Sequence, residues 1–208
     1  MKAVLTAVLV AICVANATAQ DIKRSVIEPG YVQAPADLSK IVAYTDTIIV
    51  GKVLSQTQET EQVGDQPNPL INHKVEVIEV VKSVSPLAQG AVISVKQLGG
   101  TGRVGNNEIT INDHDFPVFL KGSTYIFFLN NKPGFFVAQG PATVLPVIDS
   151  NHVLLPKAAE SVTELRGHRQ DSLANMLTFL RTKVQRGRSG GFRCLLVGFL
   201  LEDSRRLY

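Results

Sequence analysis

From Thr47 to Leu155 the apolar residues recur in short β-branched runs broken by Gly, Pro, Asn or Asp, and this pattern restricts the chain to a strand-rich fold. Thr47–Gln56 (TIIVGKVLSQ) opens the series with Gly51 inside it, the mark of a bulge or a close backbone approach. Asn72–Lys82 (NHKVEVIEVVK) alternates through Val75 and Val77, then slips phase to Ile78 and Val80. Such a slip suits a bulged, strongly coiled strand in a small barrel. The stretch between them, Thr57–Pro69, reads as a polar, proline-containing connection. Ala91–Leu98 and Glu108–Asn112 predict two more strands, joined by a turn over Gly99–Gly105. Thr124–Leu129 (TYIFFL) follows the connection Phe116–Gly122, is apolar on both faces and is expected to be the central strand. A turn at Asn130–Gly134 leads into short strands at Phe135–Ala138, Thr143–Ile148 and His152–Leu155.

Two helical signals flank the strands. Asp37 can cap a short helix with Leu38, Ile41 and Val42 on one face. Near Asp171–Gln185, Leu173, Met176, Leu177, Leu180 and Val184 form one apolar stripe at helical spacing, with Asp171 or Ser172 as cap. The fold class expected is mainly β: a small barrel or sandwich, residues 37–185, with a short N-terminal helix and a C-terminal amphipathic helix packed on it.

Residues 1–19 form a separate unit. Lys2 precedes an apolar run from Ala3 to Ala15, and Ala17-Thr18-Ala19 is a small-x-small cleavage site, so the segment reads as a signal peptide. The run is too short for the roughly 20 residues that cross a bilayer, and Val10-Ala11-Ile12 before Cys13 is not a lipobox. The protein is therefore expected to be secreted or periplasmic, with no transmembrane segment after cleavage. Cleavage removes Cys13 and leaves Cys194 alone, so the exported domain folds without an intrachain disulfide and rests on its hydrophobic core. Residues 20–36 carry Pro29, Gly30 and Pro35 without a period and read as an extended lead-in.

Charge excludes one partner class. Arg181, Lys183, Arg186, Arg188, Arg193, Arg205 and Arg206 face only Glu202 and Asp203 in the C-terminal part, so the formal net charge of +3 resides there. The rest of the chain is slightly acidic, which argues against a nucleic-acid-binding core. The tail, residues 186–208, shifts in composition at Gly187, and its apolar run Phe192–Leu201 is too short to span a membrane.

The order of segments resembles exported bacterial proteins with an OB-fold-like barrel related to the netrin and metalloproteinase-inhibitor (TIMP) modules. Three stretches carry the likeness: Asp46, Ile48, Ile49, Val50, Gly51 and Val53; Val75–Lys82 followed by Ile93, Val95, Gly99 and Gly100; and Phe119, Gly122, Tyr125, Phe128 and Leu129. The likeness spans Leu38–Val184 and implies an OB-like β-barrel. Inhibitory members of that family ligate a catalytic zinc through a free N-terminal cysteine fixed by a disulfide. Here cleavage leaves Gln20 as the new terminus, so the resemblance implies the fold and not protease inhibition.

No stretch forms a strong catalytic constellation. Gly99–Gly105 is glycine-rich, but a phosphate cradle needs a helix directly after it, and Ile109 and Ile111 alternate as a strand. Asn112-Asp113-His114-Asp115 is the densest group of possible ligands; Asp113, His114 and Asp115 are candidates for a divalent cation or for acid–base chemistry. The same residues suit a turn before Pro117. His73, His152 and His168 read as surface residues, and Ser123 and Ser150 lack a nucleophile-elbow context. Tyr125, Phe127, Phe128, Phe135 and Phe136 offer a stacking platform or core packing, and the apolar setting favours the core.

The sequence thus leads to an exported binding module, with no catalytic residue and no cofactor assigned, whose partner is an extracellular or periplasmic protein or ligand. Two other classes stay open: a metal-dependent or hydrolytic enzyme using Asp113, His114 and Asp115, and an envelope-associated structural protein using the tail.

Overall fold

Residues 22–27, 37–113, 116, 118–138, 140–149, 151–168 and 171–187 are described by a computed structural model. Residues 1–19, read from the sequence as a signal peptide, and His114, Asp115, Cys194 and residues 188–208 of the tail lie outside the described residues. In chain order the strands are β1 Lys23–Ile27, β2 Thr47–Val63, β3 Gln66–Ser83, β4 Val92–Leu98, β5 Gly100–Val104 and β6 Asn107–Ile111. They continue as β7 Thr124–Lys132, β8 Phe135–Ala138, β9 Val144–Ile148 and β10 His152–Val153. The helices are α1 Leu38–Tyr44, α2 Thr163–Arg166 and α3, residues 173–187.

Seven strands form one sheet in the order β10-β9-β7-β2-β3-β4-β8, and β8 also pairs with β7. The pairing β4–β8 is parallel, through Val95↔Phe136 and Lys96↔Val137, while its neighbours are antiparallel. The strands β2, β3, β4, β8 and β7 thus follow one another round a partly closed ring. The phase slip in β3 has a structural counterpart. The register with β2 shifts at Ile48/Ile49 and at Val50/Gly51, which leaves Val81 and Ile78 without an opposite residue. A third shift lies at Val53/Ser55. Extra residues of this kind bend and coil a strand pair, as closing a ring of few strands demands.

Alternation along β2 and β7 divides the interior into two cores. Ile49, Val53, Tyr125, Phe127 and Leu129 point into the ring, where they meet Val75, Val77, Ile93 and Val95. Ile48, Val50, Ile126 and Phe128 point outward, onto Leu38, Ile41 and Val42 of α1 and Met176, Leu177, Leu180 and Val184 of α3. The apolar character of β7 on both faces follows from this position between two cores.

Phe116 and Phe119, which follow β6 in the chain, fill the ring. Phe119 is 2 % exposed and its ring centroid lies 4.6 Å from His73, 5.5 Å from Phe116 and Tyr125, and 5.3 Å from Phe127. Such aromatic pairs bury large areas and prefer tilted or edge-on contact.

Three expectations need correction. Thr57–Pro69 is not a connection: β2 and β3 run on as a ladder to Val63↔Gln66, and only Gly64 and Asp65 turn. Gly99–Gly105 is mostly strand, because β5 pairs with β6 throughout its length. Part of the lead-in is strand as well, since β1 adds in parallel to β6 from Lys23↔Asn107 to Ile27↔Ile111. The small sheet β1-β6-β5 stacks on the projecting hairpin. A Cβ on Gly102 would lie 3.0 Å from Thr60 and 3.1 Å from Pro69, so glycine there permits the close approach.

Candidate functional site

The aspartate–histidine stretch was the densest potential site in the sequence. Of its members the structure describes Asn112 and Asp113, and Asp113 Oδ1 accepts the Phe116 backbone N–H at 2.8 Å. That bond ties Asp113 to the backbone of Phe116 in the aromatic plug, a usual kind of partner for an Asp side chain. His114 and Asp115 lie outside the described residues. Among the described residues no three His, Cys, Asp or Glu side chains gather as a metal site.

His73 is not a surface residue. It is fully buried inside the ring, where the inward phase of β3 carries Ile71, His73, Val75 and Val77 in turn. Gln97 Nε2 donates to the Phe116 carbonyl at 2.8 Å, so its Oε1 accepts from His73 Nε2 at 3.2 Å. Nδ1 has no partner. Burial pushes the imidazole pKa down to about 4, against a smaller upward effect of Gln97, so the ring is neutral at physiological pH. A neutral imidazole sealed among aromatic rings serves packing here, since no described group reaches it to exchange a proton. His168 is half-buried, with Nδ1 2.7 Å from Asp171 Oδ2 and its ring 3.9 Å from that of Phe179. His152 is exposed.

The segment read as a connection carries the more informative surface. β7 leaves β2 at Lys52 and β4 leaves β3 at Leu70, yet the β2–β3 ladder continues to the turn. The result is a polar arm projecting beyond the ring. Its outer face holds one charged network. Lys96 Nζ lies 3.2 Å from Glu59 and 2.7 Å from Glu61, and 4.4 Å from the centroid of Phe135. Asn72 Nδ2 donates to Glu59 at 2.6 Å and Asn72 Oδ1 accepts from Ser94 Oγ. The Asn72 hydrogen bond, more than Lys96, holds the Glu59 carboxyl below its usual pKa, and Glu61 raises that of Lys96. Between Lys52 and Lys74 the chain has Glu59, Glu61 and Asp65 and no Lys or Arg, so the arm is acidic.

A cleft lies beside α1. Ser39, Val42, Ala43, Lys82, Lys183, Val184, Arg186 and Gly187 line a cleft of about 450 Å³. Its lysines are in structural use. Lys82 Nζ donates to the carbonyls of Val42 at 2.6 Å and of Thr45, closing the C-terminal end of α1. Lys183 pairs with Glu164, which also accepts the Leu38 N–H at 2.5 Å at the N-terminal end. Each charge sits at the helix end whose dipole it complements.

Fold and surface together define a mainly β protein: a partly closed ring with a plugged interior, two helices on its outer face, and an acidic hairpin arm. No helix among the described residues is long and apolar enough to cross a membrane. No protein-family model and no curated protein matches the chain.

Sequence reasoning missed the arm because its side chains do not alternate in polarity. The available signal was the absence of any apolar residue from Ser55 to Gln62, eight residues rich in Thr and Gln with no Gly or Pro to break an extended strand.

Proposed function

We propose that the chain is an exported, non-enzymatic binding module on an OB-like β-barrel, and that the β2–β3 arm is its contact surface for an extracellular or periplasmic protein. The strand order around the ring supports the barrel reading. Three antiparallel strands in succession (β2, β3, β4), then a parallel step to β8 and antiparallel steps to β7 and back to β2, follow the path of a five-stranded, partly open Greek-key barrel. The leader at residues 1–19 supports export.

The observation that carries the reading is the arm itself. From Leu54 to Val63 most of β2 is exposed, and neither core uses its side chains. A ladder extended this far past the ring adds contact surface and little to core burial. The acidic residues Glu59, Glu61 and Asp65 disfavour a phosphate backbone as the partner.

The test places a photo-crosslinking residue at Val63, near the arm tip, or at exposed Lys157, in the full chain mixed with the extracellular fraction of its source. A discrete protein adduct from position 63 and none from 157 is expected. Equal labelling from both positions, or none from 63, overturns the reading.

A further inference from the structure

The phase of the arm backbone is fixed by a few hydrogen bonds. Pro69 O accepts from Gly99 N at 3.1 Å, and Val77 bonds to Ala91 and Gly90 on the same side. In a strand the N–H and C=O of one residue point the same way, and the direction alternates along the chain. Pro67, Pro69 and Ile71 therefore direct their backbone groups toward the β4 side, and Asn68, Leu70 and Asn72 toward β2. The register sets these last three opposite Glu61, Glu59 and Thr57. It follows that Gln56, Gln58, Thr60 and Gln62 direct their N–H and C=O groups to the outer edge of β2.

No strand among the described residues pairs with that edge, because β7 stops at Lys52. The other edge of the arm is blunted. Pro67 and Pro69 place their rings where an incoming strand would need N–H donors, a standard protection of exposed sheet edges. The β2 edge has no proline from Thr47 to Val63.

We infer that the outer edge of β2 at Gln56–Gln62 accepts an extended, basic segment of a partner protein as an added strand. The inference rests on the arm being the contact surface and specifies how it is used. Backbone pairing supplies affinity in such strand addition, and alternate side chains supply specificity. Here the specificity is charge. A strand laid on this edge sets alternate residues beside Glu59 and Glu61, which share the single ammonium of Lys96. A second copy of this chain fits poorly, since the two-fold register that pairs all four edge residues sets Glu59 against Glu59. Like charges directly opposite each other weaken strand pairing.

The experiment measures binding of a fluorescent decapeptide of alternating Thr and Lys to the full chain. Its comparators are the Thr–Glu peptide and two Thr–Lys peptides N-methylated at odd or at even amides. Strand addition predicts that the Thr–Lys peptide binds better than Thr–Glu. One methylation phase is expected to bind normally, and the other to lose at least about tenfold, because only alternate amides face the edge. Gln58→Pro removes an outward N–H and is expected to abolish binding, while the methylated peptides leave the protein intact.

Equal binding of both methylation phases, or of Thr–Glu and Thr–Lys, overturns the inference. A full-chain dimer that Gln58→Pro converts to monomer overturns it in favour of a second copy. Adduct formation at Val63 without any phase-dependent peptide binding leaves the arm as contact surface and removes strand addition.

Discussion

Gly51 and Val75 approach so closely across the β2–β3 ladder that a Cβ on Gly51 would lie 2.5 Å from Val75 Cγ1. The approach occurs beside the register shift at Val50/Gly51, where the strands bend to close the ring. Gly51→Ala is expected to destabilise the protein by about 1–3 kcal/mol through overpacking. Val75→Ala in the same chain should recover part of that loss, a coupling that a double-mutant cycle in urea reads directly. Strict additivity of the two changes would show that the contact does not constrain the ring.

Acid should weaken the fold through His73. Its pKa in the folded protein is about 4, below the ordinary 6.5, so the unfolded chain binds the proton more readily. Stability is then full above pH 6.5 and falls as pH drops from there to about 4, by up to about 3 kcal/mol. His73→Gln keeps a hydrogen-bonding side chain beside Gln97 without the titration. Urea midpoints at pH 7.0 and 4.5 should converge in the variant relative to the parent. An unchanged acid dependence would place the titration elsewhere.

α1 has seven residues, too few to persist by itself in water, and depends on its two end contacts. Glu164→Ala removes the acceptor for Leu38 N–H and the partner of Lys183, and is expected to cost about 1–2 kcal/mol. Lys82→Ala frees the carbonyls of Val42 and Thr45 and should cost a similar amount. Thermal midpoints measure both. A change in neither would mean that burial of Leu38, Ile41 and Val42, with the Asp37 cap on Ser39 N–H, holds the helix.

Phe119→Ala should be the most damaging of these substitutions. It empties the centre of the inner core and deprives His73, Phe116, Tyr125 and Phe127 of their common neighbour. A loss of about 3–5 kcal/mol is expected, with increased binding of a hydrophobic dye if the cavity stays open. A loss under about 1 kcal/mol would show that Phe119 does not plug the ring.

The ring was more legible in the sequence than the arm. Gly51 was conspicuous because glycine interrupts an otherwise β-branched run, and the slip from Val77 to Ile78 is visible because both are apolar. The arm gave no such signal. Thr57–Gln62 is polar on both faces, and Pro67 and Pro69 read as strand breakers. Only the register shows that their nitrogens point away from β2. His73 was misjudged for a related reason: its neighbours in sequence, Asn72 and Lys74, are polar, while its neighbours in space are Gln97 and Phe119. A turn role was one of the readings the sequence offers for Asp113, and its contact with Phe116 N is short-range.

The parallel pairing of β4 with β8 spans only Val95↔Phe136 and Lys96↔Val137. It is therefore the seam of the ring, a zip two residues long, shorter than every other ladder round it. Local opening begins where the fewest bonds must break. The amides of this seam should exchange with solvent sooner than those of the β2–β7 ladder, and each opening would briefly expose Phe119 and His73 without unfolding the rest of the molecule.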